Sequence, residues 1–151
     1  MYKIINMEVN CMILECSSKG DKRFSALYAK VKFNGKYDSI EKHYQQCKRK
    51  YNGQIVKKGE KPDYIIVNYY KLPISYLTPF YKYLWYIYFR DHKELVEFAS
   101  SFDYFTDMFK GKNTVNSQAD VISEYIQNRG KFLRDIKVIL PYLKKGELHE
   151  K

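Results

Sequence analysis

Glu41, Tyr44, Gln45 and Lys48 stand at i, i+3, i+4 and i+7 in the stretch DSIEKHYQQCKRK, residues 38–50. A helix there puts an acid, a phenol, an amide and an ammonium on one face. Such a face is equipped to be one wall of an active site, aimed at a common ligand. The same residues also have a plainer reading: Asp38-x-x-Glu41 spells a capping box, in which Glu41 only reaches back to the helix start. A second stretch with chemical content is SFDYFTDMFKGKNTVN, residues 101–116, where Asp103 and Asp107 lie four apart among aromatics, Gly and Asn. Those two acids either face solvent or cap a helix, or they supply the other half of a site.

Several common chemistries lack their motifs. The chain has no GxGxxG, no GxxxxGK[ST], no HExxH and no GxSxG, so no cofactor is expected. His43, His92 and His149 are scattered, with no pair at ligand spacing, and no metal site is expected. Cys11, Cys16 and Cys47 form an odd set without a CxxC, which argues against a disulfide framework and for a reducing compartment. Cys47, inside the 38–50 stretch, reads as core rather than as a nucleophile.

The elements that must position these residues follow from patterning. YKIINMEVN and MILEC alternate as one or two strands, and Asn34-Gly35 marks a turn after FSALYAKVKF. Asp38 then caps a helix running to about Lys50. Residues 51–63 read as a loop and YIIVNYYKLP as a strand or hairpin. From Leu77 the period becomes helical, with Phe80, Leu84, Ile87 and Tyr88 on one side, followed by KELVEFAS. Residues 117–146 give one helix, with Gly130 allowing a second. Trp85, Tyr86, Tyr88 and Phe89 at this spacing read as core. The expected fold class is mainly α, with a small β element near the N-terminus and the helix from Ser39 to about Lys50 packed centrally. No linker or repeat divides residues 1–151, which read as a single domain.

Sixteen Tyr and nine Phe stand against one Trp. Heavy use of Lys, Tyr, Asn and Ile points to an AT-rich genome, and the remaining aromatics serve core packing or ring stacking. A net charge of +10 suits an anionic nucleotide, an acidic protein or nucleic acid bound through a basic surface. The N-terminus lacks the basic region and long apolar run of a signal peptide, and YLTPFYKYLWYIYF is too short and interrupted to span a bilayer. The expected location is the cytoplasm, without a membrane partner.

RFSALYAKVKFNGKYDSIEKHYQQCK resembles the front of the NADAR family, the NAD- and ADP-ribose-associated domain. That family opens with a phrase like FSNFYP, passes a turn carrying Gly-Lys, and enters a helix reading S/T-V-E-H-Y-x-Q-x-x-K. Phe24, Ser25 and Tyr28 match the first phrase and Gly35-Lys36 the turn. Ser39, Ile40, Glu41, Tyr44, Gln45 and Lys48 match the helix without a gap. YFRDHKELVEFA and FDYFTDMFKGKNTVNSQADVI are similar in place and rhythm to two later family segments, so the likeness covers about residues 23–125. Lys42 stands where the family has His, and Thr106-Asp107 where it has Trp-Gly.

The resemblance implies a compact NADAR-like helical domain that binds ADP-ribose-like or other ribosylated compounds and hydrolyses an N-glycosidic bond. The oxocarbenium-like state of that reaction needs a carboxylate beside it and an oriented water. By the same resemblance Glu41 and Asp103, with Asp107 third, are the candidate acids. Arg23, Lys48 and Lys112 would hold the diphosphate, and Tyr44 or Trp85 would stack on the base. Phe24, Gln45 and Asn113 would complete the ligand contacts. Two other readings stay open. One is a non-catalytic binder that sequesters an ADP-ribose-type signal, as a compact phage-encoded protein acting in the host cytoplasm could. The other is a basic nucleic-acid-binding protein stacking bases on its tyrosines.

Overall fold

The computed structural model describes residues 2–4, 12–108 and 117–143; Lys112 and Asn113 lie outside the described residues. In chain order the elements are β1 (Tyr2–Ile4), β2 (Met12–Glu15), β3 (Lys30–Phe33), β4 (Lys36–Ser39) and α1 (Ile40–Cys47). Then come β5 (Lys48–Arg49), β6 (Tyr64–Val67), β7 (Tyr70–Leu72), α2 (Leu77–Asp91) and α3 (Lys93–Ala99). β8 (Tyr104–Thr106), α4 (Gln118–Gln127) and α5 (Arg129–Ile136) complete the set.

The helix at the centre is α2. Its sequence, LTPFYKYLWYIYFRD, carries apolar or aromatic residues on almost every side, and nearly all of them are buried. A helix of that composition needs partners all round. It has them, since α1, α3, α4, α5 and β3 all pack against it. Trp85, Leu84 and Phe89 are fully buried, each such side chain worth about 2 kcal/mol against exposure. The charged exception is Lys82, whose ammonium is paired with Glu124 of α4 and Asp135 of α5.

The strands are short and form three separate sheets among the described residues. β2 lies between β1, antiparallel, and β8, parallel, with Ile13 opposite Tyr104. β3 and β4 make a hairpin whose Asn34-Gly35 turn has φ of 56° and 81°, the left-handed conformation this dipeptide tolerates best. β5, β6 and β7 form an antiparallel set. Asn68 and Tyr69 close the β6–β7 hairpin with φ of 50° and 73°. Tyr69 has a Cβ in a region that favours glycine, while Asn68 is tied by its side-chain amide to the Tyr142 carbonyl.

Two expectations are corrected here. The fold is mixed α/β rather than mainly α, with 46% of the described residues helical and 20% in strands. β4, β5 and β8, of two to four residues, are too short to show a period of two, and patterning missed them. The centre is α2, not the 39–50 helix, because among the described helices only α2 is apolar around its whole circumference. The Asn34-Gly35 turn, the hairpin at 64–72 and the break between α4 and α5 lie where the sequence placed them.

Candidate functional site

The capping arrangement of α1 decides how Glu41 is to be read. Ser39 is the N-cap, its hydroxyl accepting from the Lys42 N–H at 3.1 Å. Asp38 instead accepts from the Ser39 N–H at 2.8 Å. The frame is thus one residue later than the sequence implies, and Glu41 sits at the second helical position rather than the third. A capping-box role for Glu41 therefore falls away.

Glu41 is only partly exposed, and no hydrogen bond or ion pair holds its carboxylate among the described residues. Burial raises its pKa above the ordinary value, opposed by the nearby ammonium groups of Lys58 and Lys48. Lys48 no longer belongs to the helix. Its backbone turns extended to pair with Ile65 in β5, yet its ammonium lies 4.2 Å from the centre of the Tyr44 ring and so returns to the same face. Burial holds the Lys48 pKa below its usual value. The two opposite charges share one poorly solvated face without forming a salt bridge.

Behind them lies Tyr81 of α2, whose ring meets that of Tyr44 at 4.5 Å between centroids. Burial pushes the Tyr81 pKa up, and the charges of Glu41, Tyr44 and Asp107 push it further. The indole N–H of Trp85, one turn along α2, is close enough to favour the phenolate but falls outside hydrogen-bonding geometry and has no other partner among the described residues. Tyr81 therefore feels both Glu41 and Asp107, acids that are 66 positions apart in a chain of 151.

A chain of hydrogen bonds leads from the Asp107 carboxylate to the backbone N–H of Glu41. The Gln118 amide N–H donates to Asp107 Oδ2 at 2.9 Å, and its carbonyl accepts from the Ala26 N–H at 2.6 Å. The Ala26 carbonyl in turn accepts from the Glu41 N–H at 3.0 Å. Gln118 reaches this place because Ser117 caps α4 immediately before it, accepting from the Asp120 N–H.

The remaining predicted residues lie outside this cluster or serve its framework. Asp103 clamps β2, its carboxylate accepting from the Met12 N–H at 2.9 Å while its own N–H donates to the Met12 carbonyl. Arg23 makes a two-pronged ion pair with Asp21, at 2.6 and 2.9 Å, and lies over the Phe98 ring. Phe24 and Trp85 are fully buried core residues. A base has no access to the Trp85 ring, which packs against Phe89 and Tyr88. Gln45 donates to the Val56 carbonyl at 2.8 Å and anchors the 51–63 loop. Cys47 is buried, and its thiol pKa is pushed up to about 12, so it is no nucleophile.

Sequence reasoning missed Tyr81, Gln118 and Lys58. The i, i+4 relation of Tyr81 to Trp85 was visible, but nothing marked that face as opposed to any other face of an all-apolar helix. Among the described residues no three His, Cys, Asp or Glu gather to hold a metal, and no helix is long and apolar enough to cross a membrane. Two surface clefts of about 380 and 390 Å3 lie on other faces, and neither is lined by Glu41, Tyr44 or Lys48. No protein-family model matches the chain, and no curated protein matches it either.

Proposed function

We propose that the α1 face binds a ribosylated nucleotide and that Glu41 supports hydrolysis of its N-glycosidic bond. The observation that carries this reading is the Glu41 carboxylate itself. It is partly buried, raised in pKa, and unpartnered among the described residues, with two ammonium groups beside it. A structural acid in such a place acquires a hydrogen-bond or salt-bridge partner. An acid kept without one retains its charge for something that arrives from solution, and its raised pKa makes it a stronger base than a free glutamate.

The roles follow from position. Glu41 stands to stabilise positive charge at the anomeric carbon or to deprotonate the attacking water. Lys48, with Lys58 nearby, supplies the cationic end that a diphosphate needs. Asp107, oriented by Gln118, takes the place of Asp103 as the second acid. The resemblance of residues 24–48 to the NADAR family supports the roles of Glu41 and Lys48 and names ADP-ribosylated compounds as the first substrates to try.

The sequestering reading has one observation in its favour. Asp103, the stronger of the two candidates for second acid, is committed to a backbone clamp. One assay decides between them: release of free base from ADP-ribosylated substrates, run with wild type and Glu41→Gln in parallel. Release by wild type alone supports the hydrolase. Tight ADP-ribose binding without release by either protein supports the binder, and equal release by both removes Glu41 from the mechanism.

A further inference from the structure

On another face of α2 a stack of flat groups runs from the core to the surface. The Trp85 ring stacks on Phe89 at 5.4 Å and 27°, and Phe89 stacks on Tyr125 of α4 at 4.8 Å and 24°. The guanidinium of Arg129, first residue of α5, lies 3.7 Å over the Tyr125 ring. Its Nε donates to the Tyr125 carbonyl, which fixes the plane of the guanidinium as well as its position. Arg129 is exposed and pairs with no acid among the described residues. The pile therefore ends in a planar, oriented cation at the protein surface.

That cation borders a cleft of about 390 Å3, which Arg90, Lys93 and Glu97 also line. Three basic residues face one acid there. Arg90 is partly offset by Asp91 at 3.3 Å, whereas Lys93 has no ion pair among the described residues. The half-exposed ring of Tyr86 lines the cleft too.

We propose that this cleft binds a base-plus-phosphate unit, at a site distinct from the Glu41 face. The base lies flat on Arg129, continuing the stack by one layer, because a guanidinium backed by an aromatic ring presents a polarisable plane to a heterocycle. The phosphate is taken by Lys93 and Arg90, and Glu97 lies where an exocyclic amine rather than a phosphate is tolerated. A nucleotide meets this chemistry whether it is free or part of a single strand.

The test is calorimetric titration of the full chain with AMP, adenosine, ribose 5-phosphate and an eight-residue oligo-dA, each at low and moderate salt. AMP is expected to bind at least tenfold more tightly than either adenosine or ribose 5-phosphate. Arg129→Ala is expected to lose about tenfold or more in AMP affinity, and Arg129→Lys nearly as much, since an ammonium keeps the charge and loses the plane. Lys93→Ala is expected to weaken AMP and leave adenosine unchanged. Oligo-dA binding more tightly per strand than AMP, with a steeper salt dependence, would assign the site to a strand; equal or weaker binding would assign it to the free nucleotide. The proposal is overturned if AMP does not bind, or if Arg129→Ala binds it normally.

Discussion

Lys82 and Glu41 are two charged side chains drawn into the protein, and the fold treats them in opposite ways. The Lys82 side chain is 8% exposed, and two carboxylates meet its ammonium: Glu124, and Asp135 at 2.7 Å. Lys131 closes the group, contacting both acids at 3.1 and 2.9 Å. Glu41 is also withdrawn from water but has no such partner among the described residues, only a raised pKa and two ammonium groups at longer range. A buried charge that is fully met is part of the architecture, holding α2 to α4 and α5. A charge that is withdrawn and left unmet costs stability, and such a cost is the ordinary mark of a site.

Removing the architectural charge gives the largest expected effect. Lys82→Met leaves Glu124 and Asp135 with only the exposed Lys131, and should cost about 3 kcal/mol in urea unfolding. A loss under about 1 kcal/mol would show the network to be ornamental. Glu41→Gln should behave in the opposite sense. It keeps the shape and removes a poorly solvated charge, so stability at neutral pH should hold or rise, while turnover should fall about a hundredfold or more. A Glu41→Gln protein that is destabilised and fully active would put Glu41 among the structural charges.

The pH dependence separates the two regions by sign. The folded-state pKa of Glu41 lies above its ordinary 4.5. Its protonated form therefore contributes stability that is complete below pH 4.5 and lost as pH rises through the folded-state value. Hydrogen bonding from Lys82, more than any other influence, holds the Asp135 pKa below its ordinary 3.8. Its contribution is present above pH 3.8 and lost as pH falls through the folded-state value. Thermal melts should show wild type and Glu41→Gln alike in acid and diverging as pH rises, with wild type the less stable. Lys82→Met should instead reduce the loss of stability on the acid side.

The two aspartates of the 101–116 stretch sharpen the same contrast on a smaller scale. Asp103→Ala should cost about 1 kcal/mol through the lost Met12 hydrogen bond and leave turnover untouched. Asp107→Asn should lower turnover about tenfold with little change in unfolding. The reverse pattern would return Asp103 to the site. Smallest of all, Lys48→Ala should weaken ADP-ribose binding several-fold, more at low salt than at high, without altering the unfolding midpoint by more than about 0.5 kcal/mol.

Local sequence determined a good deal of this. The aromatic run at 77–91 specifies a helix through its period, the Asn34-Gly35 pair specifies a hairpin turn through its backbone conformation, and the i, i+3 spacing puts Glu41 and Tyr44 on one side. These depend on steric rules acting over a few residues. The tertiary structure decided the rest. β2 becomes the middle of a sheet only because Ile13 meets Tyr104, some ninety residues away, and no alternation within MILE or YFT announces that partner. The one-residue shift of the α1 cap, which frees Glu41, depends on Ala26 and Ala29 accepting from the Glu41 and Ile40 N–H groups. Asp107 is tied to the backbone beside α1 because Gln118 bridges it to Ala26 across the fold, whereas Asp103 is held at Met12. Which acid is paired, and which is left with its charge unmet, is set by the distances and burial of groups remote in sequence; residue types and their spacing do not encode it.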